Sequence, residues 1–204
     1  MLIHVDEATR KAAKTPHELA MINLIVFNLL VGAALLAGSM AQPDSVIGRF
    51  KWAAVAAPLL LSLLVIGLTW LRASRPGQRP WFVAAHWRLS AARYRLLLAA
   101  YVLSGALLSL GWLGGASEAE IAAQVRDLSP AMQEMQRHKL ESQHLGEAVW
   151  ARIGVVPLLI AVMVSIMLES GAIYQAGRGE IPDALARRFP PPSDLEPIEE
   201  TAPY

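Results

Sequence analysis

Three stretches of this 204-residue chain contain no Asp, Glu, Lys or Arg: 19–43, 52–71 and 96–117. A fourth, 153–177, contains only Glu169. A hydrocarbon core about 30 Å thick is crossed by about 20 apolar residues in helical form, and each stretch supplies that length. Inside lipid a backbone must satisfy its own hydrogen bonds, so isolated runs of this kind fold as helices. The fold class expected is therefore an all-α integral membrane protein, a bundle of four transmembrane helices with spans at about 19–42, 52–72, 95–116 and 152–175. The apolar share of 54% against 17% charged agrees with it.

The charges that remain set the expected orientation. Residues 1–18, the connection 72–95 and the tail 178–204 hold twelve of the eighteen Lys and Arg, and the other two connections hold six. Basic residues stay on the cytoplasmic side. Both termini are thus expected in the cytoplasm of a bacterial cell, the protein in its inner membrane, and the loop 117–150 in the periplasm. The chain has no cysteine, which removes disulfides, thiolate metal sites and cysteine nucleophiles. Ser39-Met40-Ala41 has the small-x-small form of a signal-peptidase site. The apolar run before it is longer than the roughly 7–15 residues of a signal core, so an uncleaved anchor is expected.

Local signals refine the connections. Thr15-Pro16 reads as a helix start before span 1, and Arg75-Pro76-Gly77 as a turn after span 2. From Pro80 the chain turns aromatic and basic, and a helix is expected to run from there along or through the inner interface into span 3. Trp81, Trp87, Arg88, Arg93 and Arg95 are its expected contacts with lipid headgroups or partners, since indole and guanidinium favour that level. In the outer loop Ser117 and Glu120 fit a capping box. Ser129-Pro130 restarts a helix that continues toward span 4. Beyond Gly177 the tail, with Pro190-Pro191-Pro192 and four acidic residues after it, is expected to be extended and mostly disordered.

Few residues suggest chemistry. Glu169 is the one formally charged residue inside a span, where burial is costly and such residues tend to be functional. It lies nine residues before Arg178, about 13 Å along a helix. Pro157, Ala161, Ser165 and Glu169 share a four-residue spacing, a stripe suited to close helix contact. Two readings stay open. Glu169 is either bonded to a neighbouring helix, to Tyr174, Arg93 or Arg95, or it carries a proton or cation. A second cluster, Glu134, His138, Glu141 and His144, falls on one broad helical face. It reads as a solvated face first and as a zinc or copper site second. Haem ligation would need histidine inside the spans. His4, His17, His86, His138 and His144 lie outside those spans, with His17 and His86 within reach of the inner interface. No phosphate loop, zinc-protease motif or serine triad is present, so no cofactor and no catalytic residue is expected. Gly105-x-x-x-Ser109, Gly111-x-x-x-Gly115, Ala33-x-x-x-Ala37 and Ala34-x-x-x-Gly38 are candidate helix contacts.

The function this implies is a non-catalytic subunit, assembly factor or scaffold of a larger inner-membrane complex. Its partners are lipids and other membrane subunits, without nucleic acid. The alternative is a small oligomeric transporter or channel with Glu169 as its coupling residue. The orientation is directly testable because the chain is naturally free of cysteine. Cysteines placed at Ser117 and Ser142 should react with a membrane-impermeant reagent in intact cells, and those at Ser74 and Ser193 should not. The reverse pattern would invert the topology.

Overall fold

In a computed structural model of the protein, the structure describes residues 1–41, 45–75, 77, 79–113, 129–193, 195 and 197–198. Four helices are long and apolar enough to cross a membrane, and they pack together. The first is composite: α1 (Glu7–Ile22), a π-helical turn (Asn23–Asn28) and α2 (Leu29–Met40). It starts earlier than Thr15-Pro16 suggests. Asp6 accepts the backbone N–H of Thr9 at 2.7 Å and caps the helix, and Pro16 sits inside it.

The second helix, α3 (Val46–Ser74), is capped by Ser45, whose hydroxyl accepts from Gly48 N–H at 3.0 Å. The third, α4 (Trp81–Leu113), runs unbroken from the aromatic-basic segment into span 3. The fourth, α5 (Pro130–Arg178), is a single helix of 49 residues. At a rise of about 1.5 Å per residue it is about 73 Å long, more than twice the thickness of a hydrocarbon core. The expected helix before Ser129 lies outside the described residues.

Helix α5 packs against α4, α1 and α2, while α3 closes the other side against α2 and α4. Leu24, Val31, Leu97, Leu158 and Val162 are buried at the mid-level. Leu60, Leu64, Val102, Met163 and Met167 point outward, as a lipid-facing surface requires. Lipid tails are as apolar as leucine, so close packing rather than hydrophobicity draws such helices together. The closest approaches use Gly32, where a Cβ would stand 2.9 Å from Leu159, and Gly154, where it would stand 3.0 Å from Leu108.

Those glycines are not the ones spacing singled out. Gly105 and Ser109 are exposed, and nothing in the chain lies within 4 Å of a Cβ at Gly105. Ala33 and Ala37 are exposed too, whereas Gly38 faces Lys51 of α3. Gly111 is described only as part of the helical backbone, and Gly115 lies outside the described residues.

The ends of the helices nearest the N-terminus carry a small cap. Strand β1 (Leu2–Ile3) pairs antiparallel with β2 (Pro197–Ile198) and bridges to Glu180. A short helix, α6 (Asp183–Arg188), follows α5. Ile3, Phe82, Val83 and Ile181 are buried together, with Trp81, Leu185 and Phe189 packed against them. Part of the segment beyond Gly177 therefore folds back onto the bundle instead of running free, because Ile181, Leu185 and Phe189 give it apolar surface to bury.

Gly179 makes the return possible. Its φ is +78°, in the left-handed region that favours glycine. Its N–H donates to Ala176 and that of Glu180 to Gln175, closing the helix end. A Cβ there would stand 2.6 Å from the carbonyl oxygen of Ile3. Gly179→Ala should therefore combine a left-handed strain of about 1–2 kcal/mol with a backbone clash. Amide exchange at Ile3 and Ile181 should accelerate markedly while the exchange of the spans stays unchanged.

Candidate functional site

Just above this cap three helices converge on a row of buried titratable side chains. Glu169 projects from α5 along the expected stripe, with Ala161, Ser165 and Glu169 itself all buried. A carboxylate in that setting needs partners, because an unpaired charge out of water is costly. It has two. Oε2 is 2.5 Å from Nδ1 of His17 on α1, and Oε1 is 3.6 Å from Nη1 of Arg93 on α4. Arg93 also donates to the carbonyl of Leu168 at 2.7 Å, which fixes its guanidinium beside the carboxylate.

The row continues past His17. Its second ring nitrogen, Nε2, is 2.9 Å from Nδ1 of His86 on α4. His17 and His86 are both fully buried, with their rings nearly perpendicular and 5.1 Å apart. Phe82 covers His86 edge-on at 4.7 Å. Nε2 of His86 is buried without a well-formed hydrogen bond. The backbone of Glu180 is a polar neighbour of the His86 ring. The N–H of Glu180 is already donated to Gln175, so the Glu180 carbonyl is the backbone group that could accept from that ring.

A second polar layer lies deeper in the bundle and holds no formal charge. The π-helical turn brings Asn23 and Asn28, five residues apart, to the same interior side, where Nδ2 of Asn28 donates to the Asn23 carbonyl at 3.0 Å. In a regular α-helix that spacing would separate them; a widened turn of this kind often marks a functional position. Asn23 Nδ2 donates to the hydroxyl of Tyr94 at 3.3 Å. Asn28 Nδ2 donates to Oγ of Ser62 at 3.0 Å, and the Tyr101 hydroxyl donates to Asn28 Oδ1. Ser62 and Tyr101 share a hydrogen bond of 2.8 Å. Three helical segments, the π-helical turn, α3 and α4, are joined by this layer.

The structure thus answers one question about Glu169 and moves several other residues. Of the partners considered, Arg93 is beside the carboxylate, while Tyr174 and Arg95 are exposed and turned away from it. His17 and His86, placed outside the spans on charge pattern alone, are the ones that complete the row. They fall inside helices because α1 and α4 each begin well before their uncharged runs. A usable signal existed: both histidines and Glu169 lie within about three helical turns of the ends of the uncharged runs that begin at Leu19 and Leu96 and end at Gly177.

The remaining singled-out residues scatter. Trp81 stacks on Phe189 with ring centroids 5.5 Å apart, and Arg88 lies over the same Phe189 ring at 3.6 Å. Trp87 is 4% exposed. The backbone through Glu134, His138, Glu141 and His144 is helical, but their side chains lie outside the described residues. Among the described residues no three His, Asp or Glu side chains are grouped to hold a metal ion. In the buried row both nitrogens of His17 are engaged, which leaves His86 Nε2 as its open ring nitrogen.

The deeper layer permits a direct test. Tyr101→Phe removes the hydroxyl that bridges Asn28 and Ser62 and leaves Asn28 Oδ1 short of a donor. Intramembrane hydrogen bonds average about 0.6 kcal/mol and reach about 1.7. A loss of that size should appear in unfolding of the purified protein in mild detergent, with the helix content of the folded state unchanged. No family model matches this chain, and no curated protein or solved structure is similar to it.

Proposed function

We propose that this protein is a proton-responsive, non-catalytic subunit of a larger membrane complex, seated in a bacterial inner membrane with both termini in the cytoplasm. The observation that carries the reading is His17, fully buried and bonded through both ring nitrogens, to Glu169 on one side and His86 on the other. A purely structural tie for Glu169 needs one donor. Two imidazoles and a carboxylate in one hydrogen-bonded row form a chain of groups that can hold or pass on a proton.

Proton counting gives the row two states. With Glu169 ionised and both rings neutral, His17 must place its proton on Nδ1 to donate to the carboxylate. Its Nε2 then accepts from Nδ1–H of His86, and His86 Nε2 is a bare lone pair near the Glu180 backbone. One added proton reverses the row. His17 then donates from Nε2 as well, His86 accepts at Nδ1, and His86 Nε2–H can donate to the Glu180 carbonyl. The added proton thus strengthens the link between the bundle and the cap at Glu180, and its loss weakens it. The charged and titratable groups around the row are Arg93 and Tyr94 of α4, Lys14 of α1, whose ammonium lies against Gly177, and Glu180 beyond α5. From α3 the neighbouring buried polar side chain is Thr69, which does not titrate.

Two further features support a subunit. About 23 residues of α5 precede Ile153, an arm of about 34 Å at the helical rise, and Met132 and Met135 on it are exposed. Methionine is adaptable at binding surfaces. The alternative, an oligomeric transporter coupled through Glu169, is favoured by the same row. Against it, among the described residues no histidine or carboxylate continues the path through the outer halves of the spans.

Glu169→Gln keeps the side chain's shape and cannot titrate. The variant should fold and assemble as the wild type does. In the wild type, the ring-nitrogen NMR signals of His17 and His86 should titrate together and be accompanied by slower amide exchange at Ile181 as pH falls. In Glu169→Gln that joint response should disappear. A Gln variant whose histidines and cap respond to pH as in the wild type would reduce Glu169 to a structural tie.

A further inference from the structure

A groove of about 540 Å³ opens between the first turns of α1, the last turn of α3 and the first turns of α4, on the side of the bundle away from the buried row. Its walls are apolar, with Ala12 and Val83 among them, and Thr9 and Thr15 line it from α1. Arg72 and Arg79 both line it beside Trp87. Their guanidinium carbons lie 5.1 and 5.6 Å from the centroid of the Trp87 indole. Trp87 is buried, so its ring is a fixed platform for both cations. Arg79 is further held by a hydrogen bond of 3.2 Å from Nη1 to the Arg72 carbonyl.

This pair of cations lacks a counter-charge. The segment 72–95 contains six arginines and no carboxylate. Among the described residues no Asp or Glu lies within 4.0 Å of Arg72 or Arg79. Two guanidiniums on one indole repel each other, and an anion between them converts that repulsion into attraction. Guanidinium matches phosphate oxygens with paired donors.

The position of the groove selects the kind of anion. Arg72 is the first residue after the uncharged run 52–71, and the α1 wall ends four residues before the run beginning at Leu19. The site therefore sits at the boundary of the hydrocarbon, at headgroup depth, where anionic lipids draw basic residues. We propose that it binds the phosphate of an anionic phospholipid. Arg72 and Arg79 hold the phosphodiester, and the apolar wall of α1 and α4 takes the glycerol and the start of the acyl chains. Arg88 and Arg93, which the basic pattern also offered to lipid, are occupied by Phe189 and by Glu169. The inference does not depend on the buried row or on its proton chemistry.

The test uses the full chain in nanodiscs of nine parts phosphatidylcholine to one part phosphatidylglycerol, released into native mass spectrometry. The wild type should keep phosphatidylglycerol in preference to phosphatidylcholine. Retention should fall by about tenfold or more in Arg72→Gln/Arg79→Gln, the scale set by losing charge-assisted bonds. Arg187→Gln/Arg188→Gln removes the same charge from exposed positions on α6 and should retain the lipid. Arg79→Gln alone, at an exposed position where the Arg72 contact with the Trp87 ring is kept, should show an intermediate loss if the double variant folds poorly. Equal retention in Arg79→Gln and the wild type would overturn the site. So would equal retention of both lipids, or displacement of the lipid by glycerol 3-phosphate, which would mark a site for soluble phosphate esters.

Discussion

A carboxylate placed among helices in a membrane cannot be left alone, and the half of this structure nearest the N-terminus follows from that constraint. Glu169 has almost no contact with solvent, and the desolvation of a bare charge there exceeds any packing gain from the helix that carries it. Arg93 and His17 supply the compensation from α4 and α1. By doing so they fix the rotation of three helices about their own axes. His17 is then committed at Nδ1, and its second nitrogen has to be met in turn, which is what His86 does. Each buried polar group recruits the next, until the row ends at the open Nε2 of His86, close to the backbone of Glu180.

The deeper layer follows the same logic with uncharged groups. Asn28 is fully buried, and an amide offers both donors and an acceptor that lipid cannot satisfy. Ser62 and Tyr101 meet it from two other helices. The π-helical turn shifts the register of the first span, so that Asn23 and Asn28 share one interior side. Below both polar layers, the cap closes the end nearest the N-terminus with apolar side chains, and Gly179 turns the chain back toward Ile3. Charge, amide and apolar contact thus succeed one another along the bundle, each placed where its cost is met.

Much of the fold was legible in the sequence for a simple reason. The membrane imposes a length of about 20 apolar residues on a span, and the chain's charges are absent from four runs of that length, apart from Glu169. The four-residue stripe ending at Glu169 also indicated the buried face of α5 correctly. The small-residue pairs were less informative. Gly105-x-x-x-Ser109 has the spacing of a contact yet faces outward, whereas Gly32 and Gly154, in no such pair, touch neighbouring helices. Spacing records which residues share a face; it does not record which face meets a partner.

The sequence by itself determined that the chain forms four helices long and apolar enough to cross a membrane, and that one acidic side chain must be accommodated among them. Those conclusions rest on local length and polarity, which a linear pattern contains. Only the tertiary structure decided what accommodates that side chain. His17 and His86 are 69 positions apart, and Glu169 is 152 positions from His17. Their meeting depends on how far α1 and α4 extend past their apolar runs and on the rotation of each helix against α5. These are settled by packing between helices, and no stretch of the chain states them alone.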